Sequence, residues 1–272
     1  MGSRVVSAGA LGGSAVARVS RILLEDGRDL VLKQPLNGEL HLEGQMLEWL
    51  AENTILPVPV VHHSAPDLLL MDYVPQKPVR DRKEFEEDAA KHLFRLHSLQ
   101  ETRYGFEFDT LIGSLPQLNT WLEDWVDFYL NRRLLPMTNL AIERGNLAPS
   151  YADRILKLEA TLRKEIGGGN APGLIHGDVW GGNILNASDS VAAFIDPALS
   201  YSDPEVELAF VTMFHTFSEH FFEVYSHHRE IEDGFFERRV ELYLIYPYLV
   251  HTAIFGGSWA HGVESRLNQF GI

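Results

Sequence analysis

The chain has 272 residues, of which 45% are hydrophobic and 22% are charged, a composition typical of a globular protein with one large domain or two lobes. Asp and Glu number 38 against 23 Lys and Arg, for a formal charge of -15, and so acidic a surface repels nucleic acid. The chain has no cysteine, which excludes disulfides, thiolate catalysis and cysteine-ligated metals.

The sequence carries no signal for a membrane or for secretion. No apolar stretch approaches the roughly 20 residues that span a bilayer. The first residues, MGSRVVSAGALGG, lack the basic segment and long apolar core of a signal peptide. We therefore expect a cytoplasmic protein without a membrane or nucleic-acid partner, and composition leaves its oligomeric state open.

The first quarter of the chain is predicted to be mainly strand. Ala15–Leu24 is rich in small and β-branched residues, Glu25-Asp26-Gly27 is typical of a turn, and Leu30–Lys33 resumes the hairpin. Apolar residues then recur at helical spacing, which predicts a helix over Leu40–Glu52. A further strand is predicted over Leu68–Tyr73. This region is expected to form a small antiparallel sheet with one helix.

The remainder of the chain is predicted to be mainly helix. Pro75 and Pro78 follow the last strand and mark a boundary between an N-lobe of residues 1–74 and a C-lobe of residues 75–272. Helical periodicity appears in five later segments, which are Phe85–Leu99, Thr120–Leu135, Tyr151–Ile166, Glu205–Phe217 and Phe235–Phe255. The expected fold class is α+β, with a small sheet lobe followed by a larger helical lobe.

The segment IHGDVWGGN, residues 175–183, is too glycine-rich for a good helix but carries polar side chains suited to chemistry. Asn183 begins a predicted hairpin that ends at Asp196, so both side chains can face one cleft. Mg²⁺ takes a few hard oxygen ligands of this kind from proteins. Asp178, on the preceding loop, is free to accept a proton from a hydroxyl. Together these residues are the parts of a phosphoryl-transfer site.

The N-terminal region supplies candidates for holding a nucleotide. Lys33 is predicted on a strand and Glu43 on the following helix, where the pair can hold the α- and β-phosphates. Glu48 is an alternative partner, although a five-residue step rotates it about 140° from Glu43. Gly12-Gly13-Ser14, expected between the first two strands, exposes backbone N–H groups to phosphate. It matches neither the Walker nor the dinucleotide-binding pattern.

The order of these residues along the chain resembles that of the protein-kinase-like superfamily, to which aminoglycoside and choline kinases belong. Within it, the segments HGDVWGGN, IDPALSYSDPEVELAF and HTAIFGGSW resemble the fructosamine kinase (ketosamine-3-kinase) family. The resemblance spans nearly the whole chain and implies a bilobal protein-kinase-like fold. It also implies an enzyme that uses ATP and Mg²⁺ to phosphorylate the 3-hydroxyl of a ketosamine. The phosphorylated product would decompose and free the amine, which amounts to deglycation of a small-molecule or protein-linked ketosamine.

The resemblance assigns roles to the matching residues. It implies that Asp178 is the catalytic base, that Asn183 and Asp196 are the magnesium ligands, and that Lys33 grips phosphate with Glu43 as its partner.

Two further groups of residues are implied to contact the substrates. Met71 precedes a hinge, Asp72-Tyr73-Val74, whose backbone would meet adenine. Trp180 would form a wall of the sugar pocket, because sugar C–H groups stack on aromatic rings. His251, near the final FGGSW segment, is a candidate sugar contact.

Other interpretations compete with this one. The chain could be a related phosphotransferase with another hydroxyl acceptor, or a catalytically silent nucleotide-binding scaffold. His220, His227 and His228 lie near one another, but their spacing does not match a zinc motif. The aromatic residues between Phe235 and Phe255 recur at helical intervals, which favours core packing.

Three further positions bear on the loop that carries Asp178. His176 is expected to organise the loop by bonding its backbone. His97 is expected to pack from a helix toward the underside of the cleft. Glu207 occupies a position where relatives commonly have Asp, and its extra methylene could alter the bond that steadies the loop.

Overall fold

The computed structural model describes residues 2–13, 17–36 and 40–272. Within them the first five strands form one antiparallel sheet, in the order β1, β2, β3, β5, β4. These strands are Val5–Gly13 (β1), Ala17–Leu24 (β2), Asp29–Pro35 (β3), Val61–Ala65 (β4) and Leu68–Asp72 (β5). The helix His41–Asn53 (α1) lies between β3 and β4, and its Leu47 packs against Val31 and Leu69 of the sheet. The predicted sheet and helix are confirmed.

The rest of the described chain is mainly helical, as predicted. Its helices are Arg82–His97 (α2), Trp125–Phe128 (α3), Leu135–Glu143 (α4), Ser150–Lys157 (α5), Glu159–Glu165 (α6), Glu205–Met213 (α7), Glu219–Ser226 (α8), Val240–Phe255 (α9) and Trp259–Gln269 (α10). Stretches of π-helix, Tyr129–Leu134 and Phe235–Arg239, lead into α4 and α9. In the described residues no helix is both long enough and apolar enough to cross a membrane. The boundary at residues 74 and 75 falls between β5 and α2 and stays a prediction.

Six short strands add three antiparallel pairs to the described part of the helical region. They are Thr110–Ile112 (β6), Leu115–Gln117 (β7), Gly173–Ile175 (β8), Ile184–Asn186 (β9), Val191–Phe194 (β10) and Ser200–Ser202 (β11). β6 pairs with β7, β9 with β10, and β8 with β11. The loop 176–183 runs from β8 to β9 and the loop 195–199 from β10 to β11, so these pairs fix the two loops side by side.

The limits of the predicted helices differ from those in the structure, and two segments illustrate why. The helix predicted from Thr120 begins instead at Trp125, where Asp124 accepts a hydrogen bond from the Asp127 N–H at 2.8 Å and caps the first turn. The helix predicted to reach Phe217 ends at Met213. Most of α4, α8 and α10 lie outside the predicted helical segments.

The aromatic segment 235–255 is only partly in the core. Tyr243 and Tyr246 are buried, as predicted. Phe236 and Phe255 are instead 53% and 54% exposed. Helical spacing identifies one face of a helix, but the π-helical turns before Val240 rotate Phe236 off the buried face of α9.

The close contact between α1 and β4 gives a first prediction. Gly44 is buried, and a Cβ at this position would lie 2.6 Å from the Ser64 Cβ and closer still to its Oγ. We expect Gly44→Ala to push α1 off the sheet and lower the free energy of unfolding by about 1–3 kcal/mol, despite the better helix propensity of alanine. Urea unfolding measures the change.

Gly168→Ala is the matched control for this substitution. A Cβ at Gly168 meets nothing within 4 Å, so this variant should unfold like the parent protein. Equal stability of the two variants would contradict the packing argument.

Candidate active site

Asp178 and Asn183 lie at the two ends of a loop that closes on itself. The Asn183 Nδ2 donates hydrogen bonds to the Asp178 side chain at 2.8 Å and to its carbonyl oxygen at 2.9 Å. Asn183 is almost fully buried, and its carboxamide oxygen remains available on the other side of the group. The loop therefore fixes the direction of the Asp178 carboxylate and leaves one oxygen ligand beside it.

Lys33, Glu43 and Asp196 meet although they lie far apart in the sequence. The Lys33 Nζ lies 2.6 Å from a Glu43 carboxylate oxygen and also pairs with the Asp196 carboxylate, 163 positions away. Glu48 is exposed, so the structure places Glu43, and not Glu48, on the lysine. Asp196 has a φ of 55°, a conformation that costs energy in a non-glycine residue and that its neighbours must enforce.

Burial and charge shift the proton affinities of these groups. Burial raises the pKa of Asp178 to about 7, and the charge of Asp196 adds to the effect. Burial also raises the pKa of Glu43 to about 7, against the pull of Lys33. Burial opposes the charge of Lys33, but Glu43 and Asp196 outweigh it and raise the pKa of the ammonium. Asp178 therefore changes charge close to neutral pH.

Glu207 holds the loop that carries Asp178 from inside the protein. Its carboxylate accepts hydrogen bonds from the backbone N–H of Gly177 at 2.6 Å and of His176 at 3.3 Å. His97 donates to the same carboxylate through Nε2 at 2.8 Å. The longer side chain of Glu207 thus still reaches the loop, and its buried charge is fully hydrogen-bonded.

The two histidines lie where the sequence suggested. His97 is buried on α2, under the loop. The His176 Nδ1 accepts a hydrogen bond from the Asp178 N–H at 3.3 Å. Gly177, between His176 and Asp178, has a φ of 86°. A Cβ at this position would clash with the Ala198 carbonyl, so the loop geometry requires glycine.

Four aromatic rings form a continuous wall that begins at Trp180, two residues beyond Asp178. The Phe214 ring centroid lies 5.7 Å from that of Trp180 and 5.7 Å from that of His251. The His251 ring in turn packs at a tilt against that of Trp259, with centroids 4.3 Å apart. We call these residues the aromatic wall. Trp180 and Phe214 are 39% and 38% exposed, so the wall presents flat apolar surface to solvent.

Phe214 and Trp259 of this wall were not identified from the sequence. Phe214 lies inside the helix predicted over Glu205–Phe217, because apolar periodicity continues past the point where the chain leaves the helix. The usable signal for Trp259 was its place beside Gly256-Gly257 in the FGGSW segment.

The segments expected to bind nucleotide occupy the sheet and its end. Met71 is buried in β5. The N–H groups of Asp72 and Tyr73 donate to the carbonyl oxygens of Val60 at 2.9 Å and Asp29 at 3.0 Å, so neither N–H is free for a ligand.

The glycine segment lies partly elsewhere than expected. Gly12 and Gly13 belong to the end of β1 rather than to the turn after it, and Gly12 has a φ of 46°. Ser14 lies outside the described residues.

Comparison with known proteins places these features in a family. The fructosamine kinase family model matches residues 13–270. A chloroplastic protein-ribulosamine 3-kinase of Arabidopsis thaliana is 26% identical over 98% of this chain and 83% of its own.

Solved structures support the same relationship. A crystal structure of a candidate fructosamine-3-kinase from Thermobifida fusca superposes with a TM-score of 0.86 at 28% identity, over 98% of this chain and 94% of the other. An ADP-bound aminoglycoside phosphotransferase superposes at 0.62 with 17% identity, over 97% of this chain and 93% of the other. The fold is therefore the protein-kinase-like fold.

The contacts of Glu207 predict a pH-dependent contribution to stability. Burial favours the neutral acid, but the hydrogen bond from His97 and the other donors lower the pKa of Glu207 overall. A carboxyl group whose pKa is lowered by folding stabilises the folded protein at pH values above its ordinary pKa. This stabilisation is lost as the pH falls through the folded-state pKa. We expect Glu207→Gln to lower the free energy of unfolding by about 3 kcal/mol at pH 7, and the deficit to shrink in acid.

Urea unfolding between pH 7 and pH 3 tests this expectation, with Glu48→Gln as the exposed control that should change little. A deficit that stayed constant with pH would contradict the assignment of a buried carboxylate charge.

Proposed function

This chain belongs to the fructosamine kinase family, and we propose that it transfers the γ-phosphoryl group of ATP to the 3-hydroxyl of a ketosamine. The observation that carries the proposal is that the sheet contributes Lys33 to the cleft where Asp178, Asn183 and Asp196 converge. The 3-phosphate product would then decompose and release the amine, so the net effect is deglycation of a free or protein-linked ketosamine.

ATP would bind between the lobes, residues 1–74 and 75–272, with its phosphates against Lys33. Glu43 holds that ammonium in place at 2.6 Å, which is the arrangement that positions phosphates in this fold. Gly12 and Gly13 would cover the phosphates. Met71 would line the adenine site.

The hinge Asp72-Tyr73-Val74 is proposed to meet adenine through its backbone. Because the N–H groups of Asp72 and Tyr73 already donate within the protein, the donor to adenine would be the N–H of Val74. The hinge carbonyls complete the contact.

The donor set suits Mg²⁺. Asn183 uses its Nδ2 on Asp178, which leaves its oxygen for a cation, and Asp196 adds a carboxylate that is partly exposed to the cleft. Among the described residues no three His, Cys, Asp or Glu side chains form a metal site, so a metal here would complete its shell with phosphate and water, as Mg²⁺ does. A bound Mg²⁺ would neutralise charge on the phosphates. Lys33 would then exchange its contact with Asp196 for phosphate.

Asp178 is proposed to act as the general base. The acceptor hydroxyl gives its proton to the Asp178 carboxylate while its oxygen bonds to the γ-phosphorus, and the bond from phosphorus to the β-phosphate oxygen breaks. A base with a pKa of about 7 is well matched to this task near neutral pH. The hydrogen bond from Asn183 aims the carboxylate at the acceptor.

The aromatic wall is proposed to hold the sugar. Trp180 lies two residues beyond Asp178, and Phe214 connects it to His251 through ring contacts. Flat aromatic faces pack against sugar C–H groups, and the imidazole adds a polar edge for a hydroxyl.

Coupled measurement of ATP consumption on a panel of acceptors tests the proposed function. We expect turnover with a fructosyl or ribulosyl amine, and little with free sugars, choline or an aminoglycoside. Turnover confined to choline or an aminoglycoside would assign the chain to another branch of the fold. ATP binding without turnover of any acceptor would make it a nucleotide-binding scaffold.

Asp178→Asn separates the chemical step from folding. We expect kcat to fall by roughly two to four orders of magnitude, while ATP affinity changes little, because the base acts on the acceptor. In the parent enzyme kcat/KM should rise tenfold per pH unit below about 7 and level off above it, since only the ionised carboxylate accepts the proton.

A stability measurement completes the test of Asp178. A raised carboxyl pKa destabilises the folded protein as pH rises through it, so Asp178→Asn should be more stable than the parent at pH 8 and not at pH 4. Asp153→Asn, at an exposed position, is the control. Full activity of Asp178→Asn would refute the assignment of the base.

A further inference from the structure

A further concave site opens beside the residues that flank Phe214 in the sequence. It is a groove of about 620 Å³ between the end of α7, α8 and the π-helical turn before α9. We call it the side groove. Its lining includes Thr212, His215, Glu219, Phe222, Glu223 and Phe236. None of the residues assigned to the reaction lies in this lining.

One short loop, residues 214–218, joins the aromatic wall to the side groove. Phe214 faces Trp180 and His251, and the next residue, His215, lines the groove. His215 has a φ of 50°, so the chain turns at this residue. The Cα atoms of Phe214 and His215 are about 3.8 Å apart, so the side groove adjoins the aromatic wall.

The loop is held rigidly at its other end. Phe217 stacks on Phe221 with centroids 4.2 Å apart. The Ser218 N–H donates to Glu86 at 2.9 Å, and Arg82 donates to the Thr216 carbonyl oxygen. These contacts bind the loop to α2 and α8. The positions of the aromatic wall and the side groove are therefore fixed relative to each other.

The side groove combines negative charge with exposed aromatic surface. The described residues that line it include two carboxylates, Glu219 and Glu223, and no Lys or Arg. Arg229 is turned inward, since it donates to the His97 carbonyl oxygen. Phe236 is 53% exposed and its ring lies 5.2 Å from that of Phe222. Such a surface complements chains that carry both cationic and apolar side chains.

We propose that the side groove binds the polypeptide that flanks a ketosamine-modified lysine, and that it selects segments with basic and apolar residues. The inference rests on the proposed function. A modified lysine that reaches the aromatic wall carries its backbone over the adjoining surface, and the groove is the adjoining concave surface with complementary charge. A free ketosamine has no flanking chain and does not use the groove.

Two ribosylated peptides and one free ketosamine test this proposal. The peptides share one modified lysine and leucine neighbours, and differ only in flanking arginines or flanking glutamates. We expect the parent enzyme to favour the arginine peptide in kcat/KM. The double variant Glu219→Gln, Glu223→Gln should lose roughly fivefold on that peptide, as expected for partly exposed interface charges, and nothing on the free ketosamine.

The variant Glu48→Gln, Glu52→Gln is the matched control, because it removes two exposed carboxylates from α1 and leaves the groove intact. It should treat all three substrates like the parent. Phe236→Ala should weaken turnover of both peptides by a similar factor, since it removes apolar contact area.

A binding measurement distinguishes failure of the groove from failure of the proposed function. Fluorescence anisotropy with the labelled, unmodified arginine peptide should show binding to the parent protein and weaker binding to the Glu219, Glu223 variant. Equal binding to both proteins would overturn the proposal that the side groove binds the flanking chain, even where the free ketosamine is a substrate. No turnover of any ketosamine overturns the proposed function, while anisotropy still decides on the groove.

The groove could also be filled by a second copy of the chain. Sedimentation of the parent and the Phe236→Ala variant reports this. A parent dimer that the substitution dissociates would assign the groove to self-association and overturn the proposal.

Discussion

The buried charge of Lys33 is the constraint on which the rest of the structure depends. Its ammonium is almost fully removed from water, and a buried charge is tolerated only when it is paired. Its two partners come from different parts of the fold, Glu43 from α1 and Asp196 from the loop after β10. Removing one partner of such a group costs about 3–5 kcal/mol. The requirement to neutralise Lys33 therefore connects the sheet to the helical region, and it assembles the cleft at the same place.

The same cleft holds a charge that the fold does not neutralise. Burial raises the pKa of Asp178 to about 7, the charge of Asp196 adds to the rise, and the hydrogen bond from Asn183 opposes it only in part. Glu207, one layer below, is satisfied by His97 and by two backbone N–H groups of the same loop, and its pKa falls. The two carboxylates lie on opposite sides of one loop and differ in what surrounds them. One is arranged to bind and release a proton, and the other to keep the loop in place.

The parts of this arrangement that depend on local sequence could be predicted, and the parts that depend on long-range contacts could not. The hairpin between Asn183 and Asp196 has apolar strands and a polar turn within a few residues, and the helix carrying Glu43 follows directly after the strand of Lys33. The pairing of β8 with β11 joins segments separated by a second hairpin, and no local pattern marks it. α7 ends at Met213 because His215 turns the chain at positive φ, while the apolar spacing continues to Phe217. Because the apolar spacing does not reveal this turn, the sequence predicts neither the position of Phe214 in the aromatic wall nor the side groove.

This turn also explains how one loop can serve two kinds of recognition. In its proposed role the aromatic wall offers flat aromatic faces, which would select a sugar by its shape and discriminate little by charge. The side groove carries Glu219 and Glu223 and begins one residue away at His215, so in the proposed complex it would distinguish the chain around the sugar by charge. Because Phe217 and Ser218 fix the loop to α2 and α8, binding in the groove has no need to move the wall. Occupancy of the groove should then lower KM for a protein-linked acceptor without changing kcat, since it adds the same binding energy to the bound substrate and to the transition state.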